Sequence, residues 1–199
     1  MRQNVLNHCL SFISNYRTDI DEIKLDEIRY GLEAIYMTVT KTIVIFSLAF
    51  ILNIFKEMFL LLLFFNILRT TGFGLHATKS WICLLSSSLT FILLPFVSKI
   101  IIIPLFIKSL LGIIAIILVY IYAPADTIKR PIINRNRRAI YKSLTTLSCI
   151  ILTLTSIIIK DNSISNLIIF GVYTEVILIL PITYKIFGLS YNNYLNYIN

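Results

Sequence analysis

Charged residues are scarce in this chain. Only 14% of its 199 residues are Asp, Glu, Lys or Arg, whereas 57% are hydrophobic, and the mean hydropathy is +0.84. A water-soluble domain of this length needs more polar surface, so the composition excludes a soluble fold and indicates that lipid surrounds most of the chain. The sequence also lacks the basic stretch and small-residue cleavage site of a signal peptide, so we expect the apolar segments to be permanent.

Cysteine and histidine are rarer still. The three cysteines, Cys9, Cys83 and Cys149, are odd in number and show no Cys-x-x-Cys spacing, which argues against a disulfide framework or a zinc site. The two histidines are His8 and His76. We therefore expect neither a metal nor a cofactor.

Six apolar runs account for the hydropathy: 43–55, 58–68, 81–97, 100–123, 144–159 and 164–187. A helix needs about 20 apolar residues to cross a bilayer core. Five runs reach or approach that length, the first by including residues 36–42, whereas 58–68 would rise only about 16 Å. The sequence predicts an all-α integral membrane protein with one domain over 1–199. Cytoplasmic or interfacial helices occupy 1–35, and about six membrane helices occupy 36–187, one of them short, with a re-entrant course as an alternative.

The basic residues predict the topology. The densest basic cluster comprises Lys129, Arg130, Arg135, Arg137, Arg138 and Lys142. Lys and Arg beside membrane helices stay cytoplasmic, so we place this cluster, residues 69–79 and both termini inside, and the turns at Lys56, Lys99 and Lys160 outside. These loops explain the net charge of +8. Anionic lipid and an acidic peptide are the alternative partners of the cluster. Nucleic acid is not expected, because membrane helices flank the cluster and no separate domain carries it.

The N-terminal residues 1–17 place Val5, Leu6, Cys9, Leu10, Phe12 and Ile13 toward one side of a helix. This pattern predicts an amphipathic helix in the headgroup plane. Residues 19–36 continue at helical spacing. They form either a solvated helix beside the membrane or a docking surface for a substrate or partner helix.

The stretch RTTGFGLHATKSWIC, residues 69–83, combines a histidine with a cysteine. A thiol is nucleophilic as the thiolate, and a nearby imidazole favours the thiolate and can later donate a proton. In one continuous helix, His76 and Cys83 would share a face but stand about 10.5 Å apart. Gly72 and Gly74 permit backbone angles that a helix does not use. We therefore predict non-helical chain over 71–77, with His76 folded back and Cys83 in the first turns of the next helix, where the helix dipole favours a thiolate.

Several neighbours could assist this pair. Arg69 or backbone N–H groups could hold an oxyanion, and Thr78 or Ser80 could cap the helix. Asp126, Asn66 and Ser80 are candidates for orienting the imidazole. The alternative interpretation is an interfacial histidine and a packed cysteine.

Glu175 falls within the last apolar run. An ionisable group at membrane depth usually faces protein or a cavity, so Glu175 has either a function or a structural pair with Lys108 or a hydroxyl. A rival to an enzyme follows: a small membrane scaffold or transporter subunit in which Glu175, Lys108 and Lys41 line a polar path. Near the C-terminus, Tyr184, Tyr191, Tyr194 and Tyr197 are predicted as interfacial anchors.

At residues 69–83 the chain resembles the AgrB family, integral-membrane cysteine endopeptidases of Gram-positive quorum sensing that mature a cyclic peptide from an AgrD-type precursor. The matching residues are Arg69, Gly72, Gly74, Leu75–His76–Ala77 and Cys83. A second match is Tyr122–Asp126 (YAPAD) with Lys129–Ile132 (KRPI), and a weaker third is Tyr30–Glu33 (YGLE). Many members carry the two glycines adjacent, so Phe73 between them is a departure, and the family's loop conformation does not transfer in detail.

The resemblance implies a two-stage acyl transfer. Cys83 attacks a precursor peptide bond, with His76 as base and leaving-group acid. An internal Cys or Ser of the precursor then attacks the thioester and closes a thiolactone or lactone ring. Supporting oxyanion or substrate residues would be Arg69, Gly72, Gly74 and Ser80, and the acidic tail of the precursor would meet Lys129, Arg130, Arg135, Arg137 and Arg138. A homodimer in the cell membrane, with its active site at the cytoplasmic leaflet, is the family expectation.

Overall fold

The computed structural model describes residues 2–16, 21–75, 80–127 and 131–197. Within these ranges the chain forms α1 (Arg2–Tyr16), α2 (Glu22–Ile51), α3 (Phe55–Gly72), α4 (Ser80–Ile100), α5 (Leu105–Tyr122), α6 (Arg135–Ile158), α7 (Asn162–Ile179), α8 (Pro181–Ile186) and a short 3-10 helix (Asn193–Tyr197). It divides into two compact units, Met1–Leu48 and Ala49–Asn199. The predicted all-α class is confirmed.

The first unit contains α1 and most of α2. The N-terminal helix predicted from the sequence is confirmed, and Leu6 and Leu10, one turn apart, are both buried while Phe12 is exposed. α2 continues for 30 residues, a length of about 45 Å. The acidic segment and the first apolar run therefore form one helix.

In the second unit, helices α3 to α7 alternate in direction across short connections. We call the two ends of this bundle the site end, where α3, α5 and α7 finish and α4 and α6 begin, and the opposite end. α7 is the central helix, because it contacts α3, α4, α5 and α6 and more than half of its residues are buried. The apolar core extends along it to the site end, where it includes Leu68, Leu75 and Ile179.

Four described helices have the length and composition to cross a membrane: Lys24–Ile51, Leu105–Tyr122, Arg135–Ile158 and Asn162–Ile179. α4 adds the shorter apolar stretch Leu84–Ile100. Many outward-facing side chains of these helices are large and apolar, among them Leu89, Phe106 and Leu154. Such a surface suits lipid rather than water, and the prediction of a membrane protein is confirmed.

α3 is longer than the apolar run 58–68 predicts. It has 18 residues, about 27 Å, and it extends along α7 to the site end because the polar residues at both ends of the run are helical too. Glu57 pairs with Lys99 of α4 at 3.1 Å at the opposite end, and Arg69 lies in the last turn. Counting apolar residues alone therefore underestimates this helix.

Two prolines mark boundaries that the apolar runs do not. The run 100–123 is divided, because α4 continues to Ile100 and α5 begins at Leu105, directly after Pro104. The run 164–187 is divided at Leu180, and Pro181 begins α8. Proline has no N–H to donate, so it is tolerated in the first turn of a helix and interrupts a longer one.

Candidate active site

A sharp bend after α3 organises the site end. We call residues 73–75 the hinge segment. Phe73 and Gly74 have φ angles of 61° and 84°, which end the helix. The Gly74 N–H donates to the Ala125 carbonyl at 2.8 Å, and the Ala125 N–H donates to the Gly72 carbonyl at 3.0 Å. The hinge segment is thereby paired with the YAPAD motif that follows α5.

The helix ends two residues later than the sequence predicts. Thr71 and Gly72 still belong to α3, so the predicted non-helical stretch 71–77 begins at Phe73. Thr71 is held from α6, whose Thr145 hydroxyl donates to the Thr71 hydroxyl at 2.9 Å. Residues 76–77 lie outside the described residues.

Both glycines allow close approach of other groups. A Cβ at Gly74 would lie 2.6 Å from Nη1 of Arg69 and 2.9 Å from the Leu178 carbonyl, and a Cβ at Gly72 would lie 2.8 Å from Oε1 of Glu175. Position 74 also needs a φ that L-residues rarely adopt. The two glycines therefore make room for an arginine and a carboxylate beside the backbone.

Arg69 contacts the protein's own backbone and a buried acid. Its Nη2 donates to the carbonyls of Gly74 at 3.2 Å and Leu75 at 2.8 Å. Its Nη1 pairs with Oε2 of Glu175 on α7 at 3.4 Å, and the Glu175 side chain is fully buried. These contacts link the last turn of α3 to the hinge segment and to α7; the oxyanion role of Arg69 stays a prediction.

Leu75 is fixed on both sides of its backbone. Its N–H donates to the Leu178 carbonyl of α7 at 3.0 Å, and its own carbonyl accepts from Arg69. Its side chain is buried in the core. Because the Leu75 carbonyl belongs to the peptide group that joins it to His76, the chain is anchored up to the residue predicted as the general base.

The proposed catalytic pair lies partly outside the described residues. His76 falls in the gap 76–79, as does Thr78, and the side chains of Ser80 and Cys83 are also outside the described part. The backbone of Cys83 is described. α4 is described from Ser80, so Cys83 lies on this helix, in the fourth of its described positions; its place relative to the true helix start stays a prediction. The contact between His76 and Cys83 stays a prediction.

Asp126, at the end of the YAPAD motif, holds the C-terminal part of the chain. Its buried carboxylate accepts the backbone N–H groups of Asn193 at 3.1 Å and Tyr194 at 2.8 Å. Arg138 of α6 lies 3.8 Å from the same carboxylate, and its guanidinium stacks over the Tyr194 ring at 3.6 Å. Asp126 is therefore engaged with the C-terminal segment rather than free to orient an imidazole.

Asn66 is also directed elsewhere. Its side-chain amide donates to the Leu62 carbonyl of its own helix at 2.8 Å, in an exposed position. The side chain of Ser80, the third candidate for orienting His76, lies outside the described residues, so its role stays a prediction.

Tyr184 and Tyr191 are not the interfacial anchors predicted from the sequence. The fully buried Tyr184 donates to the Ala125 and Asp126 carbonyls at 3.3 and 3.1 Å, and Tyr191 donates to the Tyr122 carbonyl at 3.1 Å. Burial raises the pKa of Tyr191 to about 12, and it raises the pKa of Tyr184 as well. Both hydroxyls therefore stay protonated and remain donors.

Removing the Asp126 carboxylate should loosen the C-terminal segment. In Asp126→Ala the amides of Asn193 and Tyr194 lose their acceptor, at a cost of about 2 kcal/mol, so we expect their hydrogen exchange in detergent to quicken about 30-fold. Asp126→Asn, which keeps one acceptor oxygen, should show a smaller change. Asp161→Ala, at the exposed N-cap of α7, should leave both amides as they are. Unchanged exchange in Asp126→Ala would contradict the assignment.

The basic cluster divides between exposed and engaged residues. Arg135 and Arg137 are exposed at the start of α6, whereas Arg138 contacts Asp126 and Tyr194. Lys129 and Arg130 lie outside the described residues. Of the five residues predicted to bind an acidic tail, Arg135 and Arg137 are thus the two described as solvent-exposed.

The predicted pairing of Glu175 with Lys108 is wrong. The Lys108 ammonium donates to the Ser165 hydroxyl at 2.8 Å at the opposite end, ten residues and about 15 Å along α7 from Glu175. The structure therefore does not support the alternative hypothesis of a transporter subunit in which Glu175 and Lys108 line one polar path. One signal could have found the true pair: α3 and α7 finish at the same end, and Arg69 and Glu175 each lie about one turn before the end of their helix.

The fold and the site define an all-helical integral membrane protein with a glycine-containing hinge and, at one end, an ion pair between a partly buried arginine and a buried glutamate. The family model described as Accessory gene regulator B matches residues 6–179. The chain belongs to this family, AgrB. The resemblance seen in the motifs is confirmed, and membership supports a role in the agr quorum-sensing system.

Individual relatives match over most of the chain. A putative AgrB-like protein of Clostridium acetobutylicum is 32% identical over 189 residues, which cover 95% of this chain and 90% of that protein. A putative AgrB-like protein of Listeria monocytogenes serovar 1/2a is 35% identical over 187 residues, 93% of this chain and 91% of that protein. The Accessory gene regulator protein B of Staphylococcus aureus strain Newman is 34% identical over 168 residues, 83% and 87% respectively. No solved structure matches the chain.

Proposed function

We propose that this protein is a membrane cysteine endopeptidase that cleaves an AgrD-type precursor and cyclises it, through an acyl-enzyme thioester, to a lactone or thiolactone autoinducer. The observation that carries the proposal is the anchoring of Leu75, directly before His76 in sequence, at the bundle end where the described part of α4, which includes Cys83, begins. Membership of the AgrB family supports the same chemistry.

In the first step, the Cys83 sulfur attacks a carbonyl carbon of the precursor while His76 takes the thiol proton. We propose that Cys83 lies near the N-terminus of α4, where unpaired N–H groups carry a partial positive charge that favours a thiolate. Collapse of the tetrahedral intermediate breaks the C–N bond, and His76 gives its proton to the departing amine. The C-terminal tail leaves, and the N-terminal part stays on Cys83 as a thioester.

In the second step, a Cys or Ser side chain of the bound precursor attacks the thioester carbonyl. Its proton passes through His76 to the Cys83 sulfur, the C–S bond breaks, and the ring closes with the enzyme thiol regenerated. Water would compete by hydrolysing the thioester. The apolar side chains of Leu68, Leu75 and Ile179 around the hinge segment favour cyclisation by limiting water there.

The surrounding residues have distinct proposed roles. Gly72 and Gly74 shape the hinge segment, Arg69 positions it, and Ser80 supports the site from the start of α4. Acidic residues of the precursor tail would bind at the start of α6, through the exposed Arg135 and Arg137 together with Lys129 and Arg130, while Arg138 contributes its charge from its place beside Asp126. The positive-inside rule puts this end and both termini in the cytoplasm, and we propose a homodimer in the cell membrane.

The experiment that tests this function traps the thioester. The probe is an AgrD-type precursor peptide with its ring-forming Cys or Ser replaced by Ala, so that the second step cannot occur. With the purified protein in detergent, we expect release of the tail fragment and a mass increase of the protein equal to the remaining acyl group, located on Cys83 and removed by hydroxylamine.

The matched control is Cys149→Ala, which retains Cys83 and should form the same adduct. Release of the tail that persists in Cys83→Ala would identify a different nucleophile and end the proposal. An adduct on Cys9 would do the same.

A further inference from the structure

Glu175 is a carboxylate that the proposed chemistry does not use. Its side chain is fully buried in α7, a helix whose composition suits the membrane interior. An acid in such a place is expensive and normally has a partner and a purpose. Its partner is Nη1 of Arg69 at 3.4 Å.

The other half of the Arg69 guanidinium holds the hinge segment. Nη2 donates to the carbonyls of Gly74 and Leu75, and the second of these carbonyls belongs to the Leu75–His76 peptide group. A guanidinium is planar and rigid, so fixing one of its ends against a carboxylate also fixes the direction of the other end. Glu175 thereby sets the direction in which Arg69 presents its donors.

The packing around the pair leaves little freedom for this arrangement to change. Oε1 of Glu175 would lie 2.8 Å from a Cβ at position 72, and Nη1 of Arg69 would lie 2.6 Å from a Cβ at position 74. Only glycine at both positions lets the pair sit against the backbone. α7 supplies a second support, since the Leu178 carbonyl accepts the Leu75 N–H.

We infer that Glu175 is a positioning residue for the peptidase reaction: it aligns Arg69, which holds the Leu75–His76 peptide group so that the imidazole is presented to Cys83. This inference rests on the proposed function. Glu175 does not touch the substrate, so its loss should lower kcat and leave KM nearly unchanged.

The competing explanation is that Glu175 only neutralises Arg69 during folding. A double variant separates the two. Arg69→Met with Glu175→Leu removes both charges, and replacing a buried ion pair by apolar residues of similar volume is often neutral or stabilising. If the pair serves folding alone, this variant should be both stable and active. If it positions His76, the variant should be stable in detergent yet slow, because the two carbonyls have lost their donor.

We expect the double variant to keep the thermal midpoint of the wild type and to show kcat about 100-fold lower, the scale of a misplacement of about 1 Å, with KM within about 3-fold. Cys83 should also react more slowly with iodoacetamide near neutral pH, measured with Cys9 and Cys149 replaced by Ala. The control is Asn166→Leu, a buried polar residue of the same helix that donates to the Ser98 and Ile101 carbonyls at the opposite end. It should lose stability without changing the alkylation rate.

A double variant that is stable and within about 2-fold of wild-type kcat would overturn the inference. If the double variant fails to fold, Glu175→Gln is the variant that tests the inference. The glutamine amide oxygen can still accept a hydrogen bond from Arg69, but the side chain carries no charge. A kcat about 10-fold lower with KM unchanged supports positioning, and an unchanged kcat refutes it. Failure of the proposed function looks different, because wild-type protein would then form no adduct on Cys83.

Discussion

Cys83→Ala is expected to abolish release of the cyclic peptide, with a loss of at least about 1,000-fold in processing rate. Alanine cannot form the thioester that carries the acyl group between the two steps, and the remaining groups can only bind the precursor. The measurement is mass spectrometry of membranes that contain the protein and its precursor, following both the free tail and the ring.

The other two cysteines provide the control. Cys149 is fully buried in the core of α6, and Cys9 lies on α1 in the N-terminal unit, away from the hinge segment in sequence. A protein with both Cys9→Ala and Cys149→Ala should keep processing within about 3-fold, with a modest loss of stability from the small cavity at position 149. Ring formation that survives Cys83→Ala would remove the chemical basis of the proposed function.

Gly74→Ala is expected to have the second largest effect. The substitution adds a Cβ 2.6 Å from Nη1 of Arg69 and 2.9 Å from the Leu178 carbonyl at a φ of 84°. The angle costs about 1–2 kcal/mol, and the contact with a backbone oxygen cannot be relieved by rotating a side chain. We expect Arg69 to be displaced from the hinge carbonyls and processing to fall about 100-fold or more.

Gly188→Ala is the matched control for that prediction. Position 188 also has a positive φ, 64°, but a Cβ there meets nothing within 4 Å. Gly188→Ala therefore introduces the cost of the backbone angle without a steric contact, and the rate of precursor processing should stay close to that of the wild type. Equal losses in the two variants would show that backbone angle alone, rather than contact with Arg69 and α7, explains the importance of Gly74.

The hinge segment shows which features of the site local sequence patterns can predict and which they cannot. Two glycines around Phe73 predicted a break in the helix, and the break is present at Phe73; the early position predicted for Cys83 in the next helix stays a prediction. The break begins two residues later than predicted because Thr71 is held in the helix by Thr145, which lies 74 residues further along the chain. A contact at that distance in sequence leaves no local pattern.

The partner of Glu175 was missed for the same reason. Local reasoning could state that a buried acid needs a partner, and it offered Lys108, whose position in the neighbouring apolar run is equally plausible from composition. The structure separates the two because Lys108 lies near the start of α5 at the opposite end, whereas Arg69 lies in the last turn of α3. Only the directions of the helices distinguish the candidates, and those follow from counting membrane segments rather than from residue type.

The C-terminal tyrosines show a second kind of contact that the sequence does not predict. Aromatic residues near a membrane boundary are typical of interfacial anchors, and sequence gives no sign that Tyr184 and Tyr191 turn back to donate to carbonyls of the chain after α5. The stop at Pro181 was a usable signal, since a proline there ends α7 and allows the chain to reverse.

The bonds from Asp126 to the amides of Asn193 and Tyr194 have a practical consequence for anyone purifying this protein. A chain ended at Ser190 would remove the Asn193 and Tyr194 amide donors from a buried carboxylate that lies beside a guanidinium. An affinity tag or fluorescent fusion at the carboxyl terminus would strain the same hydrogen bonds. Asp126, which accepts them, directly follows Ala125, whose backbone pairs with the hinge segment. Handles for detection and purification are therefore better attached at the amino terminus.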